Sequence, residues 1–216
     1  MITTIETALC DRLSQGLGQM VNSPVVTWNV LATDIGTVFR KLPGVCVVFS
    51  GITGTKAVGT SREKYLVSGR FSVFVADYNL RSNEAVRHGG PGFDEPGCYR
   101  LIRCVRRLLT GQDLGIEVDY FRPETVRPVA GSAFNEKAVA VYECVFSTQW
   151  VEQALQSGHW PAPEVPDEPD ADFAHWHGRI EKPAPWHESS RLAYTPPGAA
   201  SPVAEDIIQN RGNDDD

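Results

Sequence analysis

Apolar residues recur at Ile2, Ile5, Leu9 and Leu13, a spacing of three and four that lays one face of a helix on a core. Thr3 followed by Glu6 has the form of a capping box, which satisfies two orphan backbone donors at a helix start. Gly16 and Gly18 predict its end. Residues 25–31 (VVTWNVL) are β-branched and aromatic behind Pro24 and predict a strand. Thr33 or Asp34 is placed to cap a short helix over 35–42, stopped by Pro43-Gly44. The run 45–50 is short and almost continuously apolar, the pattern of a central strand covered on at least one face. Residues 51–59 then read as a turn.

Over 64–78, Tyr65, Val67, Phe71, Val73 and Val75 alternate with smaller or polar residues, which predicts a long strand. Gly69 within it predicts a bulge or a bend. Residues 79–97 form a loop rich in glycine, with Pro91 and Pro96, too long for a mere connector. The clearest helix follows at 98–110: Cys98, Ile102, Val105 and Leu109 face inward, and Leu101 and Leu108 widen the stripe. Its wet face carries Arg100, Arg103, Arg106 and Arg107, and Gly111 supplies the stop. Strands at 125–130 and 137–148 close the series, the second with Tyr142, Cys144 and Phe146 on one side. Helices alternating with hairpin-like strand pairs predict an α+β domain, a mixed and largely antiparallel sheet with its helices packed on one face.

Charge divides the chain. Residues 1–156 hold 16 basic against 15 acidic side chains, whereas 157–216 hold 4 against 12. Nine of the fifteen prolines also lie in the second stretch. The expectation is a body at 1–156 and a long extended, acidic, proline-rich C-terminal arm at 157–216. Segments that merely stay unfolded are poor in aromatics. This one carries Trp160, Phe173, Trp176, Trp186 and Tyr194, which read as anchors for pockets on a partner surface. With the four arginines they form the candidate inter-subunit contacts. The arginine face has a plainer reading as a solvated helix surface, and a functional one as a contact for an acidic neighbour.

Candidate chemistry changes the picture little. Residues 51–56 (GITGTK) lack the Gly-Lys-Ser/Thr ending of a phosphate loop. His175 and His177 flank Trp176, but two histidines need a third ligand held by a rigid scaffold. The five cysteines are scattered and odd in number, the usage of a reducing compartment. No run approaches the roughly 20 apolar residues of a membrane span, and the N-terminus lacks the pattern of a signal peptide. The expectation is no enzyme, no catalytic residue, no cofactor, no metal and no membrane partner.

The block from Gly97 to Gly115, with Gly-x-Tyr, an arginine-bearing helix and a Leu-x-Gly-x-x-Leu end, resembles a block of a tail protein family of Mu-like bacteriophages. The Ile-Glu start of the first helix, the short strand ending in Ser-Gly and a last strand through Tyr142 to Trp150 agree, so the likeness covers about 1–152. The family is similar to the tail terminators of long-tailed phages. The resemblance implies a mixed sheet with helices, assembled as a hexameric ring at the head-proximal end of the tail. It also implies a virion protein whose partners are its own copies, the tail tube protein and a neck or connector protein, with DNA only as passing cargo. Alternatives are a neck or head–tail connector completion protein, an assembly chaperone and, in another class, a small phage hydrolase or nuclease. The arm has no counterpart in the family pattern.

Overall fold

The computed structural model describes residues 1–27, 42–78, 83–92, 95–129, 139–165, 168–181, 189–194 and 204–209. The chain divides into two compact units, Met1–Ala154 and Leu155–Asp216. The first is built on a five-stranded sheet of order β1-β2-β3-β5-β4. Its strands are β1 (Val26–Thr27), β2 (Gly44–Ala57), β3 (Lys64–Tyr78), β4 (Arg122–Pro128) and β5 (Val139–Gln153). The β1–β2 pairing is parallel and the other three are antiparallel. Among the described residues the unit also contains helices α1 (Ile2–Leu17), α2 (Asn83–His88) and α3 (Cys98–Leu109). The predicted α+β class is what is found.

Alternation along the strands places the core. Val45 and Val47 of β2, Val67, Phe71, Val73 and Val75 of β3, and Cys144, Phe146 and Trp150 of β5 point to one face. Ile5, Leu9, Leu13 and Leu17 of α1 and Leu101, Val105 and Leu109 of α3 close over it. Each such side chain, fully buried, contributes about 1.5–3 kcal/mol. Gly16 lets the two helices meet, because a Cβ there would lie 2.5 Å from a Leu108 methyl. On the opposite face Cys46, Val48, Phe74, Ala76 and Val141 form a smaller cluster with Leu42, Val129 and Val139.

Several local expectations are corrected. Helix α1 starts at Ile2 with Met1 as its N-cap and no side-chain cap. The Glu6 carboxylate turns instead to β2, where Oε1 accepts the Phe49 N–H at 3.0 Å. Strand β2 runs seven residues past Ser50, through the stretch read as a turn. Two register shifts against β3, near Gly51 and Gly54, absorb the extra residues, and Gly51 takes the positive φ of 113° that the first one requires. Gly69, expected to mark a bulge or a bend, faces the second of these shifts, between Ile52↔Gly69 and Gly54↔Ser68, with the extra residue in β2, while β3 stays in unbroken register with β5. It also makes room for an indole: a Cβ there would be 2.5 Å from Trp150 Cζ3. The stretch 79–97 contains the short helix α2, so it is not wholly loop. Of the predicted 25–31 strand, 25–27 fall within the described residues and Val26–Thr27 are strand, and the predicted helix at 35–42 lies almost wholly outside them.

The second unit carries local structure. A short helix, α4 (Ala171–His175), precedes two antiparallel strands, β6 (Ser189–Tyr194) and β7 (Ala204–Gln209). Residues 159–181 fold back on themselves, since the Glu181 N–H donates to the Pro161 carbonyl at 2.8 Å and its carboxylate meets His159 Nδ1 at 3.0 Å.

Candidate assembly surfaces

Helix α3 owes its orientation to its amphipathic period. Cys98, Leu101, Val105 and Leu109 are fully buried, Ile102 is half-buried, and Arg100, Arg103 and Arg107 are exposed. Arg106 is half-buried, with its charge near the Cys144 thiol. The N-terminus of α3 is pinned from the sheet. Asp77, 3% exposed at the end of β3, accepts the Gly97 N–H through Oδ2 at 2.8 Å and the Tyr78 N–H through Oδ1 at 2.7 Å. Gly97 has a φ of 74°, and a Cβ there would lie 2.2 Å from the Gly89 nitrogen, so both the turn and the close approach require glycine. Burial raises the Asp77 pKa above its ordinary value, opposed by those two N–H donors and aided by nearby Glu95. Beside this anchor, Tyr99 stacks edge-on against His88 and Tyr142. Burial, then the hydrogen bond with Tyr99, pushes the Tyr142 phenol up to about 12.

A polar ladder crosses the sheet face turned away from the helices. Ser50 and Ser72 share a hydrogen bond of 2.6 Å, and Ser72 Oγ donates to Glu143 Oε1 at 2.6 Å. Glu143 Oε2 takes Arg127 Nε at 2.5 Å, so β2, β3, β5 and β4 are tied in order. The Glu143 hydrogen bond and charge raise the already high pKa of the Arg127 guanidinium. Arg70 reaches Glu124 at 2.8 Å alongside. These residues were not singled out by sequence reasoning. Their only signal was a polar residue at an otherwise apolar strand position, and the partners come together only through register.

The two outer edges of the sheet differ. Strand β4 carries Pro123 and Pro128, which offer no N–H to a neighbour. Among the described residues β2 pairs with β1 at Cys46 and Val47, and beyond Ser50 the residues of β2 are half-buried or exposed. Ile52, Val58 and Val151 at that end are each close to half exposed.

In the second unit Trp160, Phe173, Pro161 and Arg179 line a cavity of about 450 Å³ together with His159 and Leu155. The Arg179 guanidinium sits 4.3 Å from the centre of the Trp160 ring. Hydrogen bonding from His159 lowers the Glu181 pKa. Trp176 is 77% exposed and Tyr194 64% exposed, while Trp186 lies outside the described residues. The structure thus brings Trp160 and Phe173 together and leaves Trp176 open to solvent. His175 stacks edge-on against Trp176, and both histidines of that pair are exposed.

All five cysteines are free thiols. Burial pushes Cys46, Cys98 and Cys144 up to about 12 and Cys10 up to about 11. Among the described residues no group of three or more His, Cys, Asp or Glu is placed to hold a metal, and no helix is long and apolar enough to cross a membrane. The lookalike phosphate loop at 51–56 is strand.

A family profile described as Bacteriophage Mu, Gp37 matches residues 1–151, well over half of the chain and nearly all of the first unit. The chain belongs to that family. It is therefore a Mu-type phage structural protein and a component of the virion. Among curated proteins no significant match is found. The Gp37 match ends two residues before β5 does, and the acidic second unit lies outside the matched residues.

Proposed function

We propose that this Gp37-family chain is the tail terminator: a homo-oligomeric, hexameric ring that caps the tail tube and joins it to the neck. The observation that carries the reading is the family match over nearly all of the sheet domain, joined to the fold that the terminator resemblance implies. A ring closes through a heterologous contact, in which two unlike surfaces of each copy meet. The first unit offers two unlike surfaces: a proline-guarded β4 edge, and the exposed far end of β2 with Ile52 and Val58. The tail tube protein would meet one rim of the ring and a neck or connector protein the other. DNA passes through the lumen as cargo, which suits a first unit whose basic and acidic side chains nearly balance.

The chain works by binding and not by reaction. Its buried carboxylates are committed to holding the fold: Asp77 spends both oxygens on backbone N–H groups, and Glu143 spends both on Ser72 and Arg127. Removing the gene from the phage tests the reading. The expected result is heads without joined tails and tail tubes of uncontrolled length. Normal, joined tails of ordinary length would overturn it.

A further inference from the structure

The exposed face of α3 is electrostatically unrelieved among the described residues of the first unit. The helix carries four arginines and no carboxylate (CYRLIRCVRRLL). Arg100 and Arg103 are three apart, as are Arg103 and Arg106, and Arg103 and Arg107 are four apart, spacings at which like charges destabilise a helix. Arg100 also stands in the first turn, at the positive end of the helix dipole. At 3.6 residues per turn Arg100, Arg103 and Arg107 project within about 60° of one another along about 10 Å of axis. Among the described residues none of these three has an ion pair, whereas Arg70, Arg122 and Arg127 each have one.

The complementary chemistry lies in the second unit. Glu168, Asp170 and Asp172 fall within five residues and take no ion pair among the described residues. They adjoin Phe173 and Trp176, which are 47% and 77% exposed. Carboxylates and an indole face are the two groups a guanidinium takes best, the first through paired hydrogen bonds and the second by stacking. This unit already uses the second mode, in Arg179 over Trp160.

We propose that residues 168–176 of one copy dock on the Arg100–Arg103–Arg107 face of α3 in a second copy. The carboxylates of Glu168, Asp170 and Asp172 pair with the guanidinium groups, and Trp176 covers an arginine plane. An arginine face on one copy and an acidic segment on the next make a head-to-tail contact. The inference therefore rests on the ring reading and names part of its interface.

The test uses the full chain and reads self-association by sedimentation velocity and native mass spectrometry. One variant carries Arg100→Glu, Arg103→Glu and Arg107→Glu. A second carries Glu168→Lys, Asp170→Lys and Asp172→Lys, and a third combines both sets. Each reversal alone is expected to weaken association about a hundredfold, and the combination to restore it to within about tenfold of the parent. Neutral Arg→Gln changes at the same positions, with folding followed by circular dichroism, guard against a misfolded variant and are expected to weaken association about tenfold. Raising salt from about 0.05 to 0.5 M should weaken the parent in the same sense. Unchanged association in either reversed variant overturns the contact, as does a combined variant no better than the single sets. If the α3 reversal abolishes only retention on duplex DNA, the face is a nucleic-acid surface and the proposal falls. Rings that persist in the α3 variant remove this contact but leave the ring. Restored association into open chains or dimers keeps the contact and removes the ring, and a parent that stays monomeric at all concentrations removes both.

Discussion

Gly69→Ala isolates one packing decision in the sheet. A Cβ at Gly69 would lie 2.5 Å from Trp150 Cζ3 and 2.6 Å from Cη2, contacts that carbon atoms do not sustain. The indole cannot swing away cheaply, because Trp150 is 2% exposed and its Nε1–H donates to Glu152 at 2.8 Å. Overpacking of this kind costs about 1–3 kcal/mol. Replacing a strand glycine by alanine recovers about 0.5–1 kcal/mol of backbone entropy. The net loss is about 1–2 kcal/mol, or about 2–8 °C in Tm at the size of the first unit. Trp150→Phe removes the outer indole carbons and leaves space, so the double variant should be more stable than the sum of the single losses allows by about 1 kcal/mol. Thermal and urea unfolding of the full chain, followed by near-ultraviolet circular dichroism, measure all three variants. A neutral Gly69→Ala, or losses that simply add, would refute the claim that this glycine exists to admit the indole.

Glu143→Ala cuts the ladder between Ser72 and Arg127, leaving Ser72 with Ser50 alone, and should cost about 1–3 kcal/mol in urea unfolding, with Glu143→Gln costing less. Asp77 supplies a pH dependence. Its folded pKa is raised, so the stability it confers is full below the ordinary value of 3.8 and falls as pH rises through the folded value. Asp77→Asn should therefore flatten the decline in stability as pH rises above the ordinary value of 3.8, and an unchanged slope would assign the decline elsewhere. Thiol titration of the native protein at about pH 8 should leave Cys46, Cys98 and Cys144 unmodified until unfolding, because the thiolate is the reactive form and burial suppresses it. Trp176→Ala should change subunit stability by no more than about 0.5 kcal/mol, since the ring is exposed, while weakening assembly.

Elements with one strong period were readable in advance. Strand β3 spans the predicted 64–78, and α3 ends at Leu109 beside the predicted 110, because alternation and an apolar stripe are properties of the local sequence alone. What tertiary partners impose was not readable. Gly51, Thr53, Gly54 and Thr55 look like a turn, yet β3 extends far enough to hold them as a strand, with the surplus residues taken up where the register shifts. Glu6 had the spacing of a cap, but the unpaired Phe49 N–H across the fold claims its carboxylate. The candidate surfaces divide in the same way. The arginine face follows from helical period, whereas the Ser50–Ser72–Glu143–Arg127 ladder joins residues up to 93 positions apart and exists only once four strands are in register.

The terminator reading is tested most directly by cryo-electron microscopy of the purified phage particle, with this chain located in the density. The account places one ring of it at the head-proximal end of the tail, between the last ring of tube protein and the neck. Its absence from the particle, or its density at the distal end of the tail, would contradict the account.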